Sequence, residues 1–168
     1  QAASVPVAAI TALQGLRDKG KIQSGQKVLI NGASGGVGTF AVQIAKSFGT
    51  EVTGVCSTRN VDLVRSIGAD HVIDYKNETF TRNKNQYDLI LALIAHYSAF
   101  AYARALRKNG TYFVVGGYVS VLLQAVLLGP LIRRVTGKNI RLLYVEQNRK
   151  DLIAITELCQ AGKVRPVI

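Results

Sequence analysis

Residues 28–46 of the chain read VLINGASGGVGTFAVQIAK, and this stretch decides the fold class. A short apolar strand, KVLIN at 27–31, runs into a turn of glycine and serine, and a helical pattern begins directly after the turn. Glycine is a poor helix former that loses much entropy on ordering. Glycines at the start of a helix therefore indicate that something needs the backbone to be bare at this point.

Short apolar strands alternate with helical segments along the rest of the chain. We predict helices over 6–19, 36–49, 60–68, 98–110, 119–135 and 149–162, and strands over 27–31, 51–56, 71–74, 87–93, 111–117 and 139–146. Asn60 is expected to cap its helix, and Ser98 lies near the start of another. The order predicts an α/β fold, a doubly wound six-stranded parallel sheet with the Rossmann strand order 3-2-1-4-5-6.

The composition fits a single domain over residues 1–168, because 48% of the residues are hydrophobic and can form a core. The two cysteines have no metal-ligand spacing, so we expect no bound metal and a cytoplasmic location. The apolar run 119–132 is shorter than the roughly 20 residues that span a bilayer, and Gly129-Pro130 breaks it. This run predicts a core or interface helix and no membrane partner.

The net charge of +11 favours anionic partners. The basic residues are scattered, and no nucleic-acid-binding motif accompanies them. We therefore expect a general attraction for phosphates and no nucleic-acid partner, while charge-driven nucleic-acid binding stays an alternative with a steep salt dependence.

The glycine turn has the sequence context of a dinucleotide-binding loop. Aligned to G-x-G-x-x-G, the segment is Ala33-Ser34-Gly35-Gly36-Val37-Gly38. Gly35 would let the backbone approach a pyrophosphate, Gly38 would let the helix pack close to the sheet, and the helix N-terminus would attract the phosphates. The alternative is a tight turn between strand and helix that binds nothing.

The end of the second strand indicates which dinucleotide binds. NAD-binding chains place an acidic residue there for the ribose hydroxyl, whereas this chain has Ser57, Thr58 and Arg59 and no acid between Glu51 and Asp62. A guanidinium and hydroxyl groups suit a 2′-phosphate. NADP(H) is the predicted cofactor, unless Arg59 is a solvated loop residue.

Three segments resemble the medium-chain dehydrogenase/reductase superfamily, and its zinc-independent quinone oxidoreductase (zeta-crystallin-like) branch in particular. They run from GQKVLINGASGG to HVIDY (25–75), over ALRKNGTYFVVGG (105–117) and over DLIAITELCQAGKVRPVI (151–168). The resemblance implies hydride transfer from NADPH to a quinone or an activated enone or aldehyde. It also implies that a GroES-like catalytic domain lies outside this sequence, so we expect no activity from the fragment alone.

Thirteen residues in five places are predicted to bind the cofactor, twelve of them implied by the resemblance and Thr58 indicated by the end of the second strand alone. The five places are the pyrophosphate loop, the adenosine-phosphate subsite, an aromatic residue beside the adenosine, the loop after the fourth strand and the end of the fifth strand: Ser34, Gly35, Gly36, Val37, Ser57, Thr58, Arg59, Tyr75, Leu93, Ile94, Ala95, Gly116 and Gly117. Many members carry DxVG where this chain has Ala92-Leu93-Ile94-Ala95. That departure concerns the nicotinamide contacts.

Other catalytic arrangements are not supported by the sequence. None of the seven tyrosines has lysine four residues later, as short-chain dehydrogenases require, and GASGG is not a nucleophile elbow. His96 near the nicotinamide is expected to be an exposed loop residue, and Cys56 a small packed one. A different class, a non-catalytic NADPH-binding sensor or interaction module, stays open.

The sixth strand is expected at the edge of the sheet, where an apolar strand is a pairing hazard. In the family this edge pairs across a two-fold axis, which implies a homodimer through 139–146, flanked by the apolar run 119–132. Charges at Leu142 and Leu143 would test that interface.

Overall fold

The computed structural model describes residues 4–82 and 84–167, so residues 1–3 and 168 of the predicted domain lie outside the described chain. Its strands are β1 (Lys27–Asn31), β2 (Glu51–Cys56), β3 (His71–Asp74), β4 (Tyr87–Ala92), β5 (Leu106–Val114) and β6 (Asn139–Leu142). Its helices are α1 (Ser4–Leu13), α2 (Gly36–Ser47), α3 (Val61–Ser66), α4 (Ala99–Ala105), α5 (Val119–Thr136) and α6 (Arg149–Gln160).

The strands form one six-stranded sheet in the order β3-β2-β1-β4-β5-β6, and every pair is parallel. This confirms the predicted Rossmann fold class. The order reverses between β1 and β4, and the register aligns Asn31 at the end of β1 with Val55 on β2 and Ala92 on β4. The carboxyl ends of these strands therefore meet at one edge of the sheet.

Both faces of the sheet are covered, because successive side chains of a strand point to opposite faces. Val28 and Ile30 of β1 pack in the cluster that includes α1, α2 and α6, whereas Leu29 packs in the cluster with α4 and α5. The central strands are accordingly continuous apolar runs, as the sequence indicates. Among the described helices, none combines the length and apolar character needed to cross a membrane.

The predicted helix over 98–110 is wrong in its second half, because α4 ends at Ala105 and β5 begins at Leu106. Leu106 is fully buried and pairs with Tyr87 of β4. At Gly110, a Cβ would lie 2.9 Å from the Arg107 oxygen and 3.1 Å from the carbonyl oxygen of Tyr87, so glycine suits the close approach of the two strands. Pairing with β4 overrides the local helical pattern.

Other boundaries also differ from the predictions, and the strand predicted over 111–117 ends at Val114. The predicted helix over 6–19 is α1 followed by a π-helical segment, Gln14–Lys19. The predicted strand over 139–146 ends at Leu142, since the neighbouring β5 ends at Val114. Beyond it the chain turns to the π-helical segment, where the Glu146 carbonyl accepts a hydrogen bond from Gln14 at 2.6 Å.

A buried carboxylate holds this junction together. Asp151 of α6 is only 3% exposed, accepts hydrogen bonds from Gln14 and Asn148, and pairs with the Arg17 guanidinium. Burial alone would raise the pKa of this carboxyl, but the hydrogen bonds from Gln14, Arg17 and Asn148 outweigh burial and hold the pKa below its usual value.

We expect Asp151→Asn to lower the free energy of unfolding at neutral pH by about 1–3 kcal/mol, because charged hydrogen bonds are lost in a buried place. Since the folded-state pKa lies below the unfolded one, the contribution is present above the unfolded pKa and is lost as the pH falls through the folded pKa. Urea unfolding at a series of pH values measures both effects. Asp62→Asn is the control, because the Asp62 side chain is fully exposed. Equal losses in the two variants would contradict the assignment.

Candidate cofactor-binding site

A cavity of about 650 Å³ opens at the carboxyl ends of the strands, where the strand order reverses. This is the general position of ligands in open α/β sheets. Segments that end or follow five strands line it: Asn31, Gly32, Ser34, Gly35, Val55, Cys56, Ser57, Arg59, Asn60, Tyr75, Ile94, Ala95, His96, Gly117 and Tyr118. Arg59 is the single Lys, Arg, Asp or Glu among these residues, so the lining has a positive charge.

The glycine turn leaves the start of α2 bare. The residue before the helix is Gly35, which has no side chain to bond the first-turn N–H groups. A Cβ at Gly36 would meet no heavy atom within 4 Å, and one at Gly35 would meet only the Gly32 oxygen, at 3.4 Å. Packing within the protein does not require glycine at these two positions. The open space beside their backbone fits a phosphate group held by helix N–H groups.

Gly38 has a structural role, as the sequence analysis predicts. A Cβ there would overlap the carbonyl oxygen of Gly32 and lie 2.8 Å from the Cα of Ala33. Gly32 itself has a φ of +91°, a conformation that favours glycine. These two glycines allow the turn to fold tightly against the first turn of α2.

Asn60 links the glycine turn to the end of β2. Its Nδ2 donates to Ser34 Oγ at 3.0 Å and to Ser57 Oγ at 3.3 Å. Asn60 holds the predicted N-cap position of α3, but its side chain makes no capping hydrogen bond. Asn60 instead orients two hydroxyl groups on the cavity wall, and each hydroxyl can still donate its own hydrogen to a ligand.

The residues predicted for the adenosine end separate into two groups. Arg59 and Tyr75 are exposed and line the cavity. Thr58 is not among the lining residues, and its hydroxyl donates to the Asp74 carboxylate at 2.6 Å. That hydrogen bond lowers the pKa of Asp74 below its usual value, helped by the N–H of Lys76 and the amide of Asn77, although burial opposes them.

The loops after β4 and β5 are joined at the other end of the cavity. The Ala95 N–H donates to the Gly116 oxygen at 2.9 Å, and Ala95 forms a parallel bridge with Gly117. A Cβ at Gly117 would overlap the Ala95 oxygen, so glycine is needed for this approach. The predicted residues from the two strands therefore form one wall.

Asn31 fixes this wall from beneath. It is buried at the end of β1, and its Nδ2 donates to the Ile94 oxygen at 2.8 Å and to the Tyr102 hydroxyl at 2.9 Å. Burial raises the pKa of Tyr102 to about 12, so the phenol stays protonated. The sequence indicates this structural role of Asn31 by one signal only, because Asn31 is a polar residue at the end of an apolar strand.

Of the predicted site residues, eight line the cavity: Ser34, Gly35, Ser57, Arg59, Tyr75, Ile94, Ala95 and Gly117. The remaining five are their chain neighbours and are not among the lining residues: Gly36, Val37, Thr58, Leu93 and Gly116. Asn31, Asn60 and Tyr118 are lining residues to which the sequence analysis assigns no binding role. His96 and Cys56 also line the cavity. His96 is exposed. Cys56 is buried, and burial and the Asp74 charge raise the pKa of its thiol.

Over residues 4–82 and 84–167, no group of three or more His, Cys, Asp or Glu side chains is placed to hold a metal ion.

A Rossmann sheet, a bare helix N-terminus and a cavity at the reversal of strand order together define an NAD(P)-binding domain. Comparison with known proteins gives the same class. Residues 36–157 match the family model described as zinc-binding dehydrogenase.

The relatives include oxidoreductases with different substrates in their names. The chain is 35% identical to a bovine protein named NAD(P)H oxidoreductase RTN4IP1, mitochondrial, over all of this chain and 48% of that protein. It is 33% identical to the trans-enoyl reductase pgmF of Aspergillus terreus, over all of this chain and 50% of that protein. A quinone oxidoreductase structure from Coxiella burnetii superposes with a TM-score of 0.75 at 25% identity, over 96% of this chain and 49% of that one.

The chain belongs to the medium-chain dehydrogenase/reductase superfamily, in its zinc-independent branch, and corresponds to the cofactor-binding domain. It spans about half the length of the relatives that it matches. The predicted resemblance is confirmed.

Proposed function

We propose that this chain is the NADP(H)-binding domain of an oxidoreductase that transfers hydride from NADPH to a quinone or to an activated enone or aldehyde. One observation carries the proposal: the bare backbone at the start of α2 and the Ser57–Arg59 segment open onto the same cavity. The names of the relatives support the reaction class. A non-catalytic NADPH sensor remains the alternative.

NADPH, when bound, would supply the hydride. This chain would hold the pyrophosphate and the 2′-phosphate of the cofactor. The start of α2 and Ser34 would bind the pyrophosphate. Arg59 and Ser57 would bind the 2′-phosphate, because a guanidinium pairs with phosphate and the lining holds no carboxylate to repel it. The carboxylate of Asp74 lies one strand away and is occupied by Thr58 and Asn77.

The wall formed by Ile94, Ala95 and Gly117 would lie against the nicotinamide. Ala95 is buried and Ile94 is exposed towards the cavity, so these residues offer an apolar surface and backbone groups for orientation, beside the exposed His96. A substrate pocket would be completed by the domain that the longer relatives carry. The cytoplasmic location and the absence of a nucleic-acid partner stay predictions, and one relative is named as mitochondrial.

Calorimetric titration of the purified chain with NADPH and NADH, side by side, tests this proposal. We expect one NADPH per chain and clearly weaker binding of NADH, because only NADPH carries the phosphate that Arg59 would bind. Equal binding of the two would remove the NADP assignment. No heat with either nucleotide, from a chain whose thermal unfolding shows that it is folded, would contradict the cofactor site itself.

We also propose that two copies pair through the outer edge of β6. This strand bonds only to β5 among the described strands, and Leu142 on it is 46% exposed. Leu143 is unsuitable for the predicted charge test, because it packs against the core and a Cβ at Gly15 would lie 3.1 Å from its Cδ2. Its charge variant would affect folding as well as pairing.

Leu142→Asp is expected to convert a dimer into a monomer, since a charge at a paired apolar edge blocks the contact. Sedimentation equilibrium at several protein concentrations measures the change. Leu152→Asp on α6 is the control, because Leu152 is similarly exposed but lies on a helix that packs against α1. A wild-type chain that is monomeric throughout, or a Leu142→Asp variant that stays dimeric, would contradict the interface.

A further inference from the structure

Helix α5 is apolar on more sides than the described residues of this chain cover. Leu123, Leu127 and Leu131 are 55%, 73% and 57% exposed. They lie four residues apart and therefore form one line along the helix, which we call the outer stripe. Large apolar side chains aligned on a helix surface indicate a partner, and a helix that is apolar all round is normally buried.

The contacts of the other helix positions show where the outer stripe points. Ala125 and Ile132 are buried against the sheet, and a Cβ at Gly129 would lie 3.2 Å from the Ile140 oxygen of β6. On the side of α4, Gln124 accepts a hydrogen bond from the Ala99 N–H at 3.2 Å. On the side of the β6 edge, Val126 lines a groove with Leu142.

The outer stripe lies between these two sides and points away from the sheet. A second copy that pairs through the β6 edge would extend the sheet and meet the side of Val126. It would leave Leu123, Leu127 and Leu131 uncovered. The occupant of the stripe must therefore approach from outside the sheet.

The charge around the stripe has one sign. Residues 89–145 contain seven Lys and Arg and no Asp or Glu. Three of these cations are exposed and take part in no salt bridge among the described residues: Arg133 and Arg134 at the carboxyl end of α5, and Arg141 on β6. Arg133 and Arg141 line the groove beside the β6 edge, so Arg134 is the one of the three that lies clear of a copy paired there. An apolar stripe bordered by unpaired arginines fits a surface that is apolar inside and anionic outside.

We propose that α5 docks on an anionic lipid membrane, lying in the plane of the interface with the outer stripe among the acyl chains and the arginines at the headgroups. A second copy that packs stripe against stripe would offer these arginines no carboxylate, because residues 89–145 contain no Asp or Glu. The phosphates of a nucleic acid would pair with the arginines, but the three leucines of the outer stripe would then lie against a polar backbone. The prediction of no membrane partner rested on the length needed to span a bilayer, and docking at the interface does not require that length.

Sedimentation of the 168-residue chain with vesicles tests this proposal. One set contains phosphatidylcholine and phosphatidylglycerol, and the other contains phosphatidylcholine alone. We expect binding to the anionic vesicles and at least tenfold weaker binding to the neutral ones, because each cation near the surface contributes about 1 kcal/mol. Leu127→Glu and Arg134→Glu should each weaken binding to anionic vesicles by tenfold or more.

Two controls match these variants. Ile153→Glu places the same charge at an exposed apolar residue of α6, on the opposite face of the sheet, and Lys163→Glu changes the net charge as Arg134→Glu does. Both should keep most of the binding, and thermal unfolding checks that all variants are folded. No binding to anionic vesicles would overturn the proposal, and so would binding that Leu127→Glu leaves unchanged.

Two outcomes would assign the stripe to another occupant. A lipid-free dimer that Leu127→Glu dissociates, without vesicle binding by the wild type, would assign it to a second copy. Binding to a DNA duplex, without vesicle binding by the wild type, would assign the charges to nucleic acid. Either result overturns membrane docking.

Discussion

Gly38→Ala is expected to lower the free energy of unfolding by about 3 kcal/mol, the upper range for an overpacked site, and to abolish dinucleotide binding. The added Cβ would overlap the Gly32 oxygen and crowd the backbone of Ala33. That turn cannot move freely, because the N–H groups of Gly32 and Ala33 both donate to the Val55 oxygen, at 3.1 and 3.0 Å. Relief of the clash would break the link between β1 and β2.

Gly36→Ala is the matched control for this prediction. The same methyl group there meets no atom of the protein, so the free energy of unfolding should change by less than about 0.5 kcal/mol. Urea unfolding measures stability, and calorimetric titration with NADPH measures binding. The Gly36→Ala variant should keep its stability, so any effect of the methyl group should be a loss of NADPH affinity. An equal loss of stability in both variants would contradict the distinction between a packing glycine and a binding glycine.

Arg59→Asp is expected to remove the preference for NADPH over NADH. One charge-assisted hydrogen bond contributes about 1.5–3 kcal/mol, which corresponds to roughly a tenfold to hundredfold change in affinity. The introduced carboxylate adds repulsion toward a 2′-phosphate. NADH affinity should change little, because NADH has a hydroxyl group at that position.

Arg65→Asp is the control for long-range charge. Arg65 is exposed on α3, outside the cavity lining, and undergoes the same change in charge. Salt at about 0.15 M screens distant charges, so in titrations under this condition the Arg65→Asp variant should keep the preference for NADPH over NADH. A preference that survives in the Arg59 variant would assign the phosphate to another residue. Loss of the NADPH preference in both variants would show that the overall positive charge attracts the phosphate, without a specific 2′-phosphate subsite.

The hydroxyls beside Arg59 depend on a residue with no charge of its own. Asn60 spans Ser34 and Ser57, so it couples the proposed pyrophosphate and 2′-phosphate ends of the cavity through two hydrogen bonds. Because its amide makes no helix-capping bond, its place in the site is the clearest function that the structure gives to this side chain.

The sequence by itself determined the strand, glycine turn and helix at 27–47, and with them the fold class. These elements depend on local properties: an apolar run buried on both faces, glycines that alone fit a tight turn, and a helix that must begin where the turn ends. The same local order placed Ser34, Gly35, Ser57 and Arg59 on the cavity wall.

Only the tertiary structure decided the features that depend on distant partners. Leu106 to Gly110 leave a helical pattern because β4 offers backbone hydrogen bonds and a buried place for Leu106. Asn60 bonds across to Ser34, Asn31 fixes the loop at Ile94, and the outer stripe of α5 stays uncovered, because each depends on which element lies opposite. Sequence periodicity shows that a residue has a face, but the partner of that face is a property of the folded chain.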